Sequence, residues 1–320
     1  MIGNPDGVFG THSRGKLRPT TGKQYELSIE IGNTTSHAII TEVGANLRLL
    51  TVNGVSLVET FEVDQEPPLS CGAVLVPWPS RVTDGIWQLD GRRMQLDLNE
   101  PTKHNAIHGL LRQTAYHILN KKTSSITMAT TLFPQHGYPF QLDTAVKYKL
   151  VEDGLLVTHR IRNVSTVAAP VAIGAHPYLR IGDVPTRDLV LRVAARRHLE
   201  VDCRLAPLSQ NAVAGTIYDF RSGQCIGDLS LDEGYSDLIV VNGVSRHTLT
   251  APDGRFVELW QDDAFRYLQV YTTKNFPDRE SVIAIEPTTA AANALNNGLG
   301  IHWLGPCESW SVSWGIRYSG

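Results

Sequence analysis

Residues 145–163, AVKYKLVEDGLLVTHRIRN, decide how the chain folds. Val146, Tyr148 and Leu150 alternate with Lys147 and Lys149, and Leu155 through Ile161 forms a second run rich in apolar and β-branched residues. Alternation with period two marks a strand with one face in a core. Asp153-Gly154 between the runs is a tight-turn signal, so the two strands are antiparallel neighbours. Similar short segments recur on either side, at 37–41, 47–52, 125–131, 189–193, 238–241, 248–251, 256–261, 267–272, 282–286 and 308–318. Asn53-Gly54, Asp90-Gly91 and Asp253-Gly254 punctuate them as further turns. Helical periodicity is scarce, and no repeat, charge block or Gly/Ser-rich linker interrupts the series. The expectation is an all-β fold, with 1–20 as a loose lead-in and 21–320 as a single β domain.

Composition narrows the function. Hydrophobic residues make up 42% of the chain, enough for a substantial core. A formal net charge of −3 argues against nucleic acid or a membrane surface as partner, since both call for basic patches. A small-molecule ligand fits better. The first twenty residues contain no continuous apolar stretch of the kind that forms a secretory core or a membrane span, so a cytoplasmic location is expected. Cys71, Cys203, Cys225 and Cys307 form no CxxC pair, which excludes the usual zinc-ribbon and thioredoxin patterns and predicts buried, reduced thiols.

Four islands combine polar or titratable residues with Gly or Pro. In Val76-Pro77-Trp78-Pro79-Ser80-Arg81-Val82, two prolines hold an extended path that carries a tryptophan towards an arginine. An aromatic face beside a guanidinium suits a sugar; the plain alternative is a surface loop with a solvated Arg81. In Asn105-Ala106-Ile107-His108-Gly109, the glycine lets the backbone turn closely beside the imidazole, although a lone histidine is more often structural than catalytic. His104 and His108 have the spacing of a helical metal pair, but Pro101 and Gly109 bracket them and no Glu follows His104, so no metal is expected. His117 has a weaker claim still.

Ile173-Gly174-Ala175-His176-Pro177-Tyr178 places an imidazole after the apolar run 168–173, directly before a proline that disfavours helix. Ile283-Ala284-Ile285-Glu286-Pro287-Thr288 repeats that setting with a carboxylate. A carboxylate at the end of a buried strand is costly unless paired, hydrogen-bonded or used, the plain alternative being bonds to amides of the next loop. The Asn-rich stretch 293–298 either lines the same mouth or reverses the chain. There is no Gly-x-Ser-x-Gly elbow, phosphate loop or dinucleotide fingerprint. Proton transfer by His176 and Glu286 on a polar substrate is what remains, and it needs no cofactor.

In this order the islands resemble the aldose 1-epimerase (galactose mutarotase) family. The motifs that carry the resemblance are Ser80-Arg81-Val82, Ile107-His108-Gly109, His176-Pro177-Tyr178, Tyr235-Ser236-Asp237 and Glu286-Pro287, spread from about Leu47 to the C-terminus. The resemblance implies a large antiparallel β-sandwich of the supersandwich type with an open sugar cleft on one concave sheet. It implies Glu286 as general base and His176 as general acid in ring opening of a free aldohexose. Arg81, His108 and Asp237 would hold the sugar hydroxyls, with Trp78 adding a stacking surface. That chemistry calls for an acid with a pKa near neutrality and a base that stays ionised. The protein is expected to act as a monomer or homodimer.

Two departures bear on substrate. Ser80 stands where the family usually has Asn, which shortens one side chain. Arg180 follows His-Pro-Tyr where an aromatic residue is more common, and a guanidinium facing the cleft would favour an acidic or phosphorylated sugar. A hexose-6-phosphate 1-epimerase is therefore the nearest enzymatic rival, and a carbohydrate-binding sandwich without turnover is the non-enzymatic one.

Overall fold

A computed structural model describes residues 19–320, so all but the end of the expected 1–20 lead-in lies outside the described residues. Leu142–Val151 and Gly154–Asn163 form the expected antiparallel hairpin and sit inside a nine-stranded sheet. On one side of it are Ser125–Leu132 and His117–Lys122; on the other are Ser309–Ser319, Phe256–Asp262, Val244–Thr250, Val190–Arg192 and Gln224–Cys225. Burial alternates along these strands, strictly so in Ser125–Leu132 and Val244–Thr250, because one face packs inward and the other meets solvent.

The second large sheet carries the chemistry. Pro207–Ala212, Ala195–Val201, Asp232–Leu238, Tyr267–Thr273 and Val282–Thr288 lie side by side, followed by the short strands Gly174–Ala175 and Val74–Leu75. The two sheets contribute to one continuous apolar cluster, with Val157, Ile161 and Leu259 from the first and Val270, Ile283 and Ile285 from the second. A four-stranded sheet, Gln24–Ile31 through Val55–Ser56, adds Leu27, Ile40 and Leu50 to the same core. The result is all-β, as the strand pattern predicts, and is the large antiparallel β-sandwich that the family resemblance implies. Asn53-Gly54 and Asp90-Gly91 turn their hairpins with both residues at positive φ, as a two-residue turn of the twist-matching type requires.

Several expectations need correction. The apolar run 238–241 is not a strand: the ladder lies earlier, at Asp232–Leu238, and Val240 and Val241 are exposed beyond it. The strand expected to end at Glu286 runs on through Pro287 to Thr288, with every residue buried. Only Cys71 is a buried thiol; Cys203, Cys225 and Cys307 are exposed because they fall in turns or on a sheet edge. Among the described residues no helix is long and apolar enough to cross a membrane.

Val282–Thr288 can hold a proline at its centre because the ladder on one side is interrupted. Gly174 pairs with Thr288, and Tyr178 and Leu179 pair with Ala284 and Ile283, in the same antiparallel register. Counting inward from either pair places His176 opposite Glu286. Pro177 and Pro287 donate no N–H to this gap, so the ladder is thinned there, with Ile285 N–H donating to Pro177 O at 3.3 Å. Opposed residues in an antiparallel pair project to the same face, and the two titratable side chains therefore meet.

Candidate active site

His176 Nε2 lies 3.3 Å from Glu286 Oε1, with both side chains almost fully buried. The His176 backbone is fixed from the other side: its N–H donates to Ala73 O, and Gly72 N–H donates to its carbonyl. The Tyr178 ring lies 5.0 Å from the imidazole and the His108 ring meets it edge-on at 5.3 Å. Nδ1 of His176 is buried without a partner among the described residues. Unsatisfied buried polar atoms are rare in folded proteins and call for a functional or structural explanation.

Arg81 and His108 come to the same cleft from a second ladder, in which Arg81–Thr83 pairs with Asn105–Ile107. Glu100 holds the Arg81 guanidinium in a bidentate grip at 3.0–3.1 Å, and Asp232 approaches it to 3.6 Å. Ser80 N–H donates to His108 Nδ1 at 3.2 Å, while His108 N–H donates to Ser80 O. With Nδ1 accepting, the proton of neutral His108 sits on Nε2. The main chain of Ser80 thus does the holding, so a short side chain at this position leaves that support intact.

Gly109 follows His108 at φ +69°, and a Cβ there would stand 2.1 Å from Val76 O. Leu110 N–H also donates to that carbonyl, so neither backbone has room to move. Gly109→Ala is expected to cost about 2 kcal/mol or more and to misplace His108, through left-handed strain plus the clash. Urea unfolding checks this; a midpoint equal to wild type would show that the loop is not constrained as described.

The cleft encloses about 230 Å³, and its wall includes Ser80, Arg81, Glu100, His108, Asp232 and Gln269 beside His176 and Glu286. Burial pushes the Glu286 carboxyl well above the usual range; the neighbouring Asp232 charge adds to this and Arg81 opposes it. Burial drives His176 the other way, down to about 3, with Arg112 and Arg81 contributing. His108 is lowered well below its ordinary value by burial and by the adjacent His176 and arginines. These directions reverse the expected assignment of an ionised Glu286 beside a near-neutral His176. Both shifts favour an uncharged pair with one proton on the carboxyl, because a dry pocket disfavours the imidazolium–carboxylate form.

Two expected sugar contacts are elsewhere. Asp237 shares a strand with Asp232 but stands five residues on, where alternation puts it on the opposite face; it is half-exposed and lies 3.6 Å from Arg196. Trp78 is buried in the core, its ring 5.9 Å from that of Tyr138, and does not line the cleft. The stretch 293–298 is a support: Asn293 Oδ1 accepts from Thr83 N–H, and Asn293 N–H donates to Arg81 O, bracing the strand that presents Arg81. Arg180 does not face the cleft. It is buried against Glu59 at 3.3 Å, and Arg279 occupies the same carboxylate at 2.8 Å. His104 is exposed and paired with Asp84, and His117 lies on an exposed edge strand. Among the described residues no cluster of three or more His, Cys, Asp or Glu is arranged to hold a metal.

A family model described as aldose 1-epimerase matches residues 27–316. The chain belongs to the aldose 1-epimerase family. Among relatives of this family member, the uncharacterized protein YihR of Escherichia coli strain K12 is 32% identical over 265 residues, covering 82% of this chain and 84% of YihR. The bifunctional protein GAL10 of Kluyveromyces lactis is 23% identical, over 84% of this chain and 42% of its own. The GalM/aldose epimerase homologue of C. elegans has the same fold, with a TM-score of 0.81 at 18% identity, covering 93% of this chain and 99% of its own. The galactose 1-epimerase of Lactobacillus acidophilus shares it too, with a TM-score of 0.74 at 19% identity over 93% and 98% of the two chains.

For this epimerase-family protein, sequence reading missed Asp232, Glu100, Gln269 and Arg112. Asp232 and Gln269 were accessible in principle, since Gln269 registers with Glu286 and donates to Asp232 Oδ1 at 2.7 Å. Both stand at the cleft-facing phase of alternating strands, a signal that appears once the register is known. Glu100 lies in a turn and gives no comparable signal.

Proposed function

We propose that the protein interconverts the α and β anomers of an aldohexose by acid/base ring opening and reclosure. The observation that carries this reading is the buried His176–Glu286 pair, 3.3 Å apart on the cleft wall beside Arg81 and His108. In the forward step, Glu286 takes the proton of the anomeric hydroxyl and the electron pair of the O1–H bond forms the C1=O1 carbonyl. The C1–O5 bond breaks, and O5 takes a proton from His176. Rotation about C1–C2 and the reverse proton transfers give the other anomer. The reactive form is the ionic one, carboxylate with imidazolium. Sugar hydroxyls donating to the carboxylate favour it, while the Arg81 charge favours the carboxylate and opposes the imidazolium.

Polarimetry on freshly dissolved α-D-glucose and α-D-galactose tests the activity; relaxation at the buffer rate for several aldoses would overturn it. The pH profile tests the pair itself. Since kcat/KM reports the free enzyme and the reactive unit carries one proton, kcat/KM is expected to stay level from pH 7 down to about pH 5. A second proton is taken up only as His176 titrates, at about 3. Activity is expected to fall on the alkaline side, as Glu286 passes through its raised pKa and the pair loses its proton. An acid limb centred near pH 6.5 would contradict this coupling.

A further inference from the structure

Arg112 lines the catalytic cleft and also a second cavity of about 450 Å³ that adjoins it. Its Nη1 donates to Ser70 Oγ at 2.7 Å, and Ser70 likewise borders both spaces, so this pair forms the partition between them. Among the described residues, no carboxylate lies within ion-pairing distance of Arg112. The other arginines near the site are ion-paired: Arg81 with Glu100 and Asp232, Arg180 with Glu59 and Asp183, and Arg279 with Glu59. Arg112 is half-buried, which makes an uncompensated guanidinium costly unless a ligand supplies the charge. The second cavity has a mixed lining, with Thr20, Thr21, Asn46 and Gln113 beside Val43, Pro67 and Ala73. Oδ1 of Asn46 is fully buried there with no donor among the described residues. Glu66, the one carboxylate among the described residues bordering the cavity, is solvent-exposed.

At about 230 Å³ the cleft alone falls short of the roughly 300–1,000 Å³ usual for ligand pockets, whereas cleft and side cavity together reach it. Chemistry fixes which end of a sugar extends past the partition. Mutarotation needs an unsubstituted O1, and His176 serves the ring oxygen, whose other carbon neighbour is C5, bearing C6. The side cavity is bordered by Ala73, whose carbonyl accepts the His176 N–H, whereas Glu286 stands opposite Gln269, which donates to Asp232. The guanidinium is therefore on the imidazole side, the side of C5 and C6. One cation matches one negative charge, and its planar fork suits a carboxylate or a monoanionic oxyacid better than a dianion.

We propose that Arg112 is a specificity-determining residue and that the preferred substrate is an aldose bearing a singly charged acidic group on C6. This rests on the epimerase reading above. It replaces the basis for an anionic substrate that sequence reading placed on Arg180, which is committed to Glu59.

Anomer-exchange rates by NMR would be compared for glucose, glucuronic acid, glucose 6-sulfate and glucose 6-phosphate. The two monoanions are expected to exceed glucose in kcat/KM by about tenfold or more, with the phosphate between them. Carboxylate against sulfate tells which oxyacid the site prefers. Arg112→Gln is expected to lower kcat/KM for the monoanions by about 30-fold and for glucose by about threefold or less, with Arg112→Lys recovering part of the loss. Equal rates for glucose and the monoanions, or an equal loss for all sugars in Arg112→Gln, would overturn the proposal. Calorimetric titration of the wild type with glucuronate separates the two readings. Binding of glucuronate in preference to glucose, without turnover of any sugar, supports the subsite and sinks the epimerase reading. Turnover of glucose with no preference for glucuronate does the reverse. The wild-type comparisons decide even if Arg112→Gln fails to fold.

Discussion

Glu286→Gln is expected to lower kcat by about 10³-fold or more, while sugar affinity changes by only about a few-fold. The amide keeps the size of the carboxyl and its place opposite His176, but it neither takes nor gives a proton. The pair then loses the proton it shares, and His176, lowered by burial, has no neighbour from which to become an acid. The same substitution is expected to leave thermal stability equal or higher at neutral pH. A carboxyl raised well above its ordinary value by burial is destabilising above pH 4.5, and an amide removes that cost. Loss of activity with an unchanged or raised melting temperature distinguishes a chemical role from a structural one. Retention of a tenth of wild-type kcat would remove Glu286 from the mechanism. His176→Asn should slow the reaction strongly as well, with a small effect on affinity.

The site was readable where chemistry leaves a local mark. His176-Pro177 and Glu286-Pro287 stand out because a titratable residue before proline contradicts the apolar strand leading to it. That contradiction is the interrupted ladder seen from the sequence. The fold was readable from period-two alternation and turn pairs, because each strand has one dry face. What failed has a common cause. Asp237 and Asp232 lie in one short strand, and only its register tells which face each presents. Arg180, Trp78 and Arg112 are all long or bulky side chains whose destination depends on partners distant in sequence, Glu59, Tyr138 and Ser70. Local pattern carries no information about such partners. The apolar run 238–241 misled for a related reason: β-branched residues suit a strand, but the ladder with Ala195 ends at Leu238 and Val241 only bridges back to Val244.

The same dryness that sets up proton transfer makes the protein acid-sensitive. His159, His176 and His247 are each pushed down to about 3 by burial, and His108 is lowered well below its ordinary value. Three of them, His108 with Ser80 N–H included, also accept N–H donors that require a neutral ring. Trp314 Nε1 donates to His159 Nε2 at 3.0 Å, and Ala194 N–H donates to His247 Nδ1 at 3.2 Å. Once unfolded, all four take up protons near pH 6.5. A group whose folded pKa is depressed gives stability that is lost as pH falls below the unfolded value, so each imidazole destabilises the fold below 6.5. Glu286 works in the opposite sense, being protonated in the fold and ionised when unfolded between pH 4.5 and its raised pKa. These four imidazoles against Glu286 leave a net uptake on unfolding of about one proton at pH 6.5, rising towards three by pH 5.5, or roughly 3 kcal/mol lost between pH 7.5 and pH 5.5. That is a large part of the roughly 5–15 kcal/mol that ordinarily holds a protein folded, and it is lost above the range in which ordinary carboxylates titrate. Urea unfolding at the two pH values measures it directly. His247→Gln can keep an acceptor for Ala194 N–H without titrating, so it should reduce the pH dependence by about one proton. Equal stability at both pH values would mean that the imidazoles are hydrated in the folded protein, and the dry cleft on which the paired proton depends would go with them.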